Sequence, residues 1–304
     1  MNMMKHPFLA FAIGILIALC VSCKGQKMGV TENAEASIER FFEADSAKYA
    51  HLDLEIELPV ASNEVRTAIR QQLVKLLAER LPKVTSYEGE NFFAPYDGDA
   101  TDGKALTGYY RQQLIALLDS LSKDDALERI KYIDEAEELS EEEKARQKSE
   151  IPGFEYSYKL KQLADTLGYV VYLSQDYIYM GGAHGGIGGD GCLTFNRETG
   201  LLVEQMIDPA CVEQIQSLLI EGLLSYYNDN GVQLSETDMR SQLQIEGDII
   251  PLPVQQPYPT KEGLVFTYNQ YEIASYADGM PSFVIPFSKI APYMTEQGKK
   301  VCGL

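Results

Sequence analysis

The apolar positions of the chain follow two periods, which separate predicted strands from predicted helices. Residues 52–58 alternate strictly between apolar and acidic side chains, which is the pattern of a half-buried strand. Apolar residues then recur every three or four positions from 65 to 77, on one face of a helix that Ser62 or Asn63 can cap. Leucine and tyrosine recur at the same spacing between residues 106 and 121, where a second helix is predicted.

The second half of the chain has the shorter period of β-structure. Strands are predicted at residues 154–160, 169–179, 192–196, 201–206, 264–268 and 283–287. Residues 197–200, closed by Gly200, predict a hairpin turn, and Asp208-Pro209 predicts a helix start ahead of an apolar stripe at 215–223. This succession of helices and hairpins predicts an α+β fold, with antiparallel sheets packed with helices in two sub-domains.

Four segments are predicted along the chain. They are a lipoprotein signal peptide at residues 1–22, a polar tether at 23–50, an N-terminal α+β sub-domain at 51–150 and a C-terminal α+β domain at 151–304. The first sub-domain contains a charge-dense stretch, residues 123–150, which predicts a solvated helical excursion or hinge; a partner-binding acidic face is the alternative.

The N-terminus predicts export and lipid anchoring. Lys5 precedes an uncharged, mostly apolar run at residues 8–21, which has the length of a signal-peptide core. Ser22 before Cys23 is typical of a lipoprotein cleavage box, so Cys23 is the predicted acylated (palmitate-bearing) residue, whereas Cys20 follows the larger Leu19. An ordinary cleaved signal peptide is the alternative. The predicted location is the bacterial cell envelope, at the outer membrane facing the periplasm in a Gram-negative host.

The formal charge of −19 limits the classes of partner that the protein is expected to bind. Such a surface repels nucleic acid and anionic lipid headgroups, so we expect no nucleic acid partner and membrane contact through the anchor alone. A basic partner would be attracted, although acidity can also serve solubility only.

Three cysteines remain after Cys20 and Cys23: Cys192, Cys211 and Cys302. A Cys192–Cys211 bridge and a core position for Cys211 are both consistent with the pattern. The chain has no spaced Cys/His set of the kind that binds zinc, so we predict no metal site and no cofactor.

Several separated motifs share one pattern. They are YIYMGGAHG at residues 177–185, FNRETGL at 195–201, GLVF at 263–266, YEIASYADG at 271–279 and VIPF at 284–287. Together they resemble the C-terminal ectodomain of RsiV-type anti-sigma factors, receptors that sense lysozyme, and the non-catalytic region of PdaC-type peptidoglycan deacetylases. The resemblance implies a binding or sensing ectodomain. The sigma-binding segment, the single-pass helix and the histidine-rich zinc site of those proteins have no counterpart in this sequence.

His184 has three alternative roles: fixing the conformation of the glycine loop through ring N–H hydrogen bonds, contacting a ligand, or acting as a catalytic base. The chain is also rich in tyrosine, and Tyr172, Tyr177 and Tyr268 could join a binding surface or simply pack within sheets. The candidate binding loop consists of Tyr179, Gly181, Gly182, His184, Gly185, Tyr271 and Tyr276.

The predicted function is a non-catalytic binding or sensing ectodomain on a lipid anchor. Its expected partner is either a protein, such as a lysozyme-like basic protein, or another cell-wall component. The alternatives are an envelope hydrolase that uses His184 and a structural or assembly lipoprotein. No catalytic residue is assigned, because no nucleophile or paired acid is marked by the sequence.

Overall fold

A five-stranded sheet gathers strands from two distant parts of the chain. A computed structural model describes residues 37–84, 89–166, 168–181, 187–229 and 233–304. The strands of this sheet are β1 (Ile38–Ser46), β2 (Ala50–Pro59), β3 (Phe154–Asp165), β4 (Tyr169–Tyr179) and β5 (Ile187–Asn196), and they lie side by side in chain order. All neighbours pair antiparallel except β2 and β3, which are parallel. The sheet is therefore mixed, whereas the sequence pattern predicts antiparallel sheets only.

The parallel pair needs a long crossover, and three helices lie within it. They are α1 (Glu64–Arg80), α2 (Gly103–Glu135) and α3 (Glu141–Ser149). The predicted cap of α1 is confirmed at Asn63, whose side-chain oxygen accepts the backbone N–H of Arg66 at 2.9 Å. Asp102 caps α2 in the same way, accepting the N–H of Ala105 at 2.9 Å.

The first core lies between these helices and one face of the sheet. The alternation of β2 places Leu52, Leu54, Ile56 and Leu58 on that face. The helices contribute residues spaced by four positions: Ile69, Leu73, Leu77, Leu106, Tyr110, Leu114 and Leu118. Burying each large aliphatic side chain stabilises the fold by roughly 2 kcal/mol. The strand and helices predicted from residues 52 to 121 are thereby confirmed.

The charge-dense stretch is helical, as predicted. Helix α2 continues to Glu135, α3 follows it, and α3 buries none of its residues. A capping box joins Ser140 and Glu143 at the start of α3. None of the described helices combines the length and the apolar character that a bilayer crossing requires.

Strand β1 lies within the predicted tether of residues 23–50, and the structure differs from the sequence prediction there. Four of its nine side chains are charged, and among the described strands β2 is its one neighbour. Charged side chains are typical of edge strands, because they discourage pairing with other chains. Because these charged residues interrupt the apolar alternation, that pattern does not predict the strand.

A second core lies beyond the other face of β4. It contains the three-stranded sheet β6 (Tyr258–Pro259), β7 (Gly263–Thr267) and β8 (Ser282–Pro286), with helices α4 (Gln216–Asp229), α5 (Glu236–Gln242), α6 (Phe287–Ile290) and α7 (Glu296–Cys302). Within β4, Val170 and Tyr172 belong to the first core, while Tyr169 and Val171 belong to the second. One strand therefore serves both cores through its alternating side chains.

The observed architecture is α+β, as predicted. The five-stranded sheet takes strands from both sides of the predicted boundary between residues 150 and 151, and Glu35–Leu304 form a single compact unit. The predicted hairpin at Gly200 keeps its turn, with φ at +72°, but the strand after it is reduced to one bridge between Phe195 and Leu202. Asp208 begins a short 3-10 helix ahead of α4.

A buried arginine joins four segments of the first half. Arg70 of α1 is only 3% exposed. Its Nη1 donates to Glu39 Oε2 at 2.6 Å and to the Pro59 carbonyl at 3.0 Å, while Nε and Nη2 donate to the carbonyls of Ala100 and Thr101 at 2.9 and 2.8 Å. This guanidinium therefore links α1 to β1, to the end of β2 and to the segment ahead of α2.

We expect Arg70→Met to lower the free energy of unfolding by about 3 kcal/mol, because the buried Pro59 carbonyl loses its charged donor and the ion pair with Glu39 is lost. Urea unfolding measures the change. The matched control is Arg146→Met on the exposed surface of α3, which we expect to change stability by about 0.5 kcal/mol or less. Equal losses in the two variants would contradict the joining role of Arg70.

Candidate functional site

Two of the predicted binding residues lie in a segment held by two local turns. In the first turn, Asn269 N donates to Glu272 Oε2 at 2.8 Å and Glu272 N donates to the Asn269 carbonyl at 3.1 Å. In the second, Ser275 N donates to Asp278 Oδ2 at 3.1 Å, and the Ser275 hydroxyl donates to the same oxygen. These turns fix the backbone on which Tyr271 and Tyr276 stand.

Tyr271 has an unusual backbone. Its φ is +64°, the left-handed region that favours glycine, and it is the single non-glycine residue with positive φ among the described residues. The side chain is 51% exposed, and its ring lies 5.8 Å from the ring of Tyr276 with 39° between the planes. Strained backbone that presents an aromatic ring to solvent points to a functional surface.

A neighbouring loop is fastened to this segment at three points. Gln244 N donates to the Ile273 carbonyl at 2.7 Å, the Tyr268 hydroxyl to the Pro251 carbonyl at 2.8 Å, and Val254 N to Glu272 Oε1 at 2.6 Å.

The loop adds two exposed apolar side chains, Ile249 at 45% and Val254 at 78% exposure. We call Ile249, Val254, Tyr271 and Tyr276 the Tyr271 surface. The sequence pattern did not predict Ile249 and Val254 as exposed binding residues, because the run IIPLPV at residues 249–254 has neither a helical nor a strand period.

The chain around this surface is strongly acidic. Residues 201–290 contain twelve Asp and Glu but only three Lys and Arg, a formal charge of −9. Glu272 and Asp278 themselves accept hydrogen bonds from backbone amides, so their carboxylates act as structural acceptors. The segment that carries the exposed rings is therefore negatively charged as a whole.

Tyr179 and Gly181, two other residues of the predicted loop, lie at the far end of β4. Gly181 has φ of +79°, and a Cβ there would lie 3.1 Å from Pro152 and 3.3 Å from Arg129 Nη2. Tyr179 pairs with Glu155 across the sheet. Gly182, His184 and Gly185 lie outside the described residues, as does Cys23. Tyr179 and Gly181 thus stand on a different element from Tyr271 and Tyr276.

The solvent-facing part of the five-stranded sheet carries two more exposed rings. Phe42 is 68% exposed and Tyr177 is 38% exposed, and both line a shallow groove of about 420 Å³. The charges there are mixed, since Lys159 pairs with Glu55 at 3.5 Å. Phe42 lies within the predicted tether, so the sequence pattern did not predict it as a binding residue.

Other tyrosines that could have joined a binding surface are buried. Tyr172 and Tyr268 are both fully buried, and burial raises the pKa of both hydroxyls. A binding role for these two rings is therefore wrong; they pack inside the two cores. Tyr227 of α4 is also buried: burial first, and then Asp278 and Tyr226, raise its pKa to about 12.

The described cysteines and acidic residues form no metal site. Within the described part of the chain, no group of three His, Cys, Asp or Glu side chains could hold a metal ion. No disulfide joins Cys192 to Cys211 there, and burial raises the pKa of the Cys302 thiol to about 11.

We expect Tyr271→Gly to be more stable than Tyr271→Ala by about 1 kcal/mol. Both variants lose the ring contact with Tyr276, but only alanine keeps a Cβ in the left-handed region. Urea unfolding of the pair isolates the backbone effect. A more stable alanine variant, as at a position with negative φ, would contradict the strained conformation.

One family model matches part of the chain. Residues 209–288 match the family described as "Protein of unknown function (DUF3298)", and this range contains the Tyr271 surface. No curated protein matches the chain.

Two solved structures are similar over most of the chain. A member of the DUF3298 family from Bacteroides fragilis has a TM-score of 0.58 and 17% identity, covering 88% of this chain and 97% of its own. A DUF3298 family protein from Pseudomonas aeruginosa has a TM-score of 0.53 and 15% identity, covering 86% and 94% respectively. At these identities the likeness concerns the fold alone. The chain therefore shares its fold with two DUF3298 proteins and, separately, matches the DUF3298 family model at residues 209–288.

Proposed function

We propose that this protein is a lipid-anchored protein of the bacterial cell envelope whose folded part binds a basic macromolecule and catalyses no reaction. The observation that carries the proposal is the strained backbone of Tyr271, which holds an exposed ring beside Tyr276 in a segment, residues 201–290, with a formal charge of −9. Lysozyme is the leading candidate partner, and another cell-wall component is the alternative.

Charge and shape support this class of partner. Acidic surfaces attract cationic proteins, while exposed aromatic and aliphatic side chains provide contacts that salt does not screen. The Tyr271 surface supplies exposed rings and aliphatic side chains, and the segment of residues 201–290 supplies the negative charge. The sequence resemblance to lysozyme-sensing ectodomains independently suggests the same partner.

The roles of the nearby carboxylates support a non-catalytic site. A general acid or base must be able to exchange a proton with a substrate. Glu272 accepts hydrogen bonds from two backbone amides, and Asp278 from the amide and hydroxyl of Ser275, so these carboxylate oxygens are engaged within the turns. These groups shape the turn that carries the rings.

We expect the fragment of residues 25–304, which contains the whole compact unit, to bind lysozyme with micromolar or tighter affinity at physiological salt. Isothermal titration calorimetry at low and physiological salt measures it. Tyr271→Ala should weaken binding at least about tenfold, because central aromatic contacts dominate interfaces.

The control is Tyr132→Ala, which removes a tyrosine that is 64% exposed on the acidic excursion of α2. Its affinity should equal that of the parent protein. Binding that disappears at physiological salt would show that charge attraction alone holds the partner. Binding lost in Tyr132→Ala alone would show that the binding site lies on the acidic excursion. Either result would contradict a binding role for the Tyr271 surface.

We expect Cys23→Ser to abolish incorporation of a labelled palmitate analogue in a bacterial host, because the acyl chains attach to this cysteine in the proposed anchor. The protein should then leave the membrane fraction. Cys20→Ser is the matched control, since it changes the neighbouring cysteine and should keep the label. Label that persists in Cys23→Ser would refute the anchor at this residue.

A further inference from the structure

A cleft of about 390 Å³ opens between the first half of α1 and one end of the five-stranded sheet. This volume lies within the range of about 300 to 1,000 Å³ that is typical of small-molecule sites. We call it the Arg197 cleft; the residues used below are Val65, Arg66, Asp165, Val170, Tyr172 and Arg197. None of them belongs to the Tyr271 surface.

A β-bulge shapes this end of the sheet. The register between β3 and β4 shifts between Gln162 and Ala164, which inserts one extra residue before Asp165. Bulges turn side chains to new directions, and they often occur beside functional sites. Arg197 follows β5, and its backbone N–H donates to the Gly168 carbonyl at 3.1 Å, which holds it beside the bulged strand.

Two arginines share one aspartate in the cleft. Asp165 Oδ2 lies 3.2 Å from Arg66 Nη2, and Asp165 Oδ1 lies 2.5 Å from Arg197 Nε. Glu64 is a second carboxylate in the lining, so the two guanidinium groups and the two carboxylates balance in charge.

The cleft presents donors without matching acceptors. Among the described residues, the side chain of Arg197 uses only its Nε, so both Nη groups remain available for a ligand. The buried hydroxyl of Tyr172 donates to Gln162 Oε1 at 3.1 Å, which leaves the Gln162 amide nitrogen as a further donor. Burial raises the pKa of Tyr172, so its hydroxyl stays protonated and keeps this bond.

We propose that the Arg197 cleft binds a small aliphatic monocarboxylate, with the carboxylate on Arg197 and the apolar body against Val65 and Val170. An ionised carboxylate is an acceptor-only group that the planar guanidinium can hold through two parallel hydrogen bonds. Val65 is half-buried, and Val170 is 5% exposed, so both give an apolar wall next to the donors.

The carboxylates of the cleft favour a monoanion over a phosphate. A second negative charge on the ligand would face Asp165 and the exposed Glu64 at the rim. Inorganic phosphate should therefore bind more weakly than a carboxylate of similar size.

We expect the residue 25–304 protein to bind hexanoate saturably and hexanamide at least about tenfold more weakly, since the neutral amide loses the charge-assisted pair. The Nε–Hε resonance of Arg197, followed in nitrogen–proton correlation spectra, reports the contact directly. Arg197→Gln should weaken hexanoate binding at least about tenfold while thermal unfolding shows that the fold is kept.

Arg129→Gln is the matched control, because Arg129 also pairs with an aspartate through Nε, at 2.6 Å, and has similar side-chain exposure, 39% against 45% for Arg197. It should leave hexanoate affinity unchanged. Absence of saturable hexanoate binding, equal binding of hexanamide, tighter binding of phosphate, or equal weakening in both arginine variants would each overturn the proposal. None of these results bears on lysozyme binding at the Tyr271 surface.

Discussion

The parallel pairing of β2 with β3 is the constraint on which the rest of the structure depends. Parallel strands cannot be joined by a tight turn, so residues 60–153 must cross from one end of the sheet to the other. Helices α1 and α2 lie in that crossover and cover one face of the sheet with a continuous apolar core. Because only one face is covered by them, β4 can use its opposite face to join the second core.

Both candidate sites lie where regular pairing ends. The Arg197 cleft forms where the bulge in β3 and the turn after β5 meet the first turns of α1, so three elements supply its charged groups. The Tyr271 surface stands on turns between β7 and β8, fixed by carboxylate-to-amide hydrogen bonds rather than by a ladder. Rigid sheets with side chains displayed on irregular segments are a common arrangement for binding proteins.

Much of the fold could be predicted because its elements have strong local patterns. Strand β2 alternates without exception, α1 has an asparagine cap before its apolar stripe, and α2 repeats leucine every fourth position. Strand β1 could not be predicted this way, since charged residues interrupt its apolar alternation. The partners of these charged side chains, such as Arg70, lie far away in sequence. Tyr271 was marked by a sequence motif, but its positive φ follows from the turn built by Glu272 and Asn269. Arg66, Asp165 and Arg197 share no motif, because they come together only in the fold.

The sequence by itself determined the α+β class, the acidic charge and the positions of most strands and helices, because periodicity and capping act over a few neighbouring residues. Only the tertiary structure decided which strands pair in parallel, which tyrosines are buried and which are exposed, and that two arginines meet at Asp165. The physical reason is that these outcomes depend on contacts between residues distant in sequence, as from Arg66 to Arg197. Such contacts form when whole elements bury their apolar faces together, and no local pattern records them.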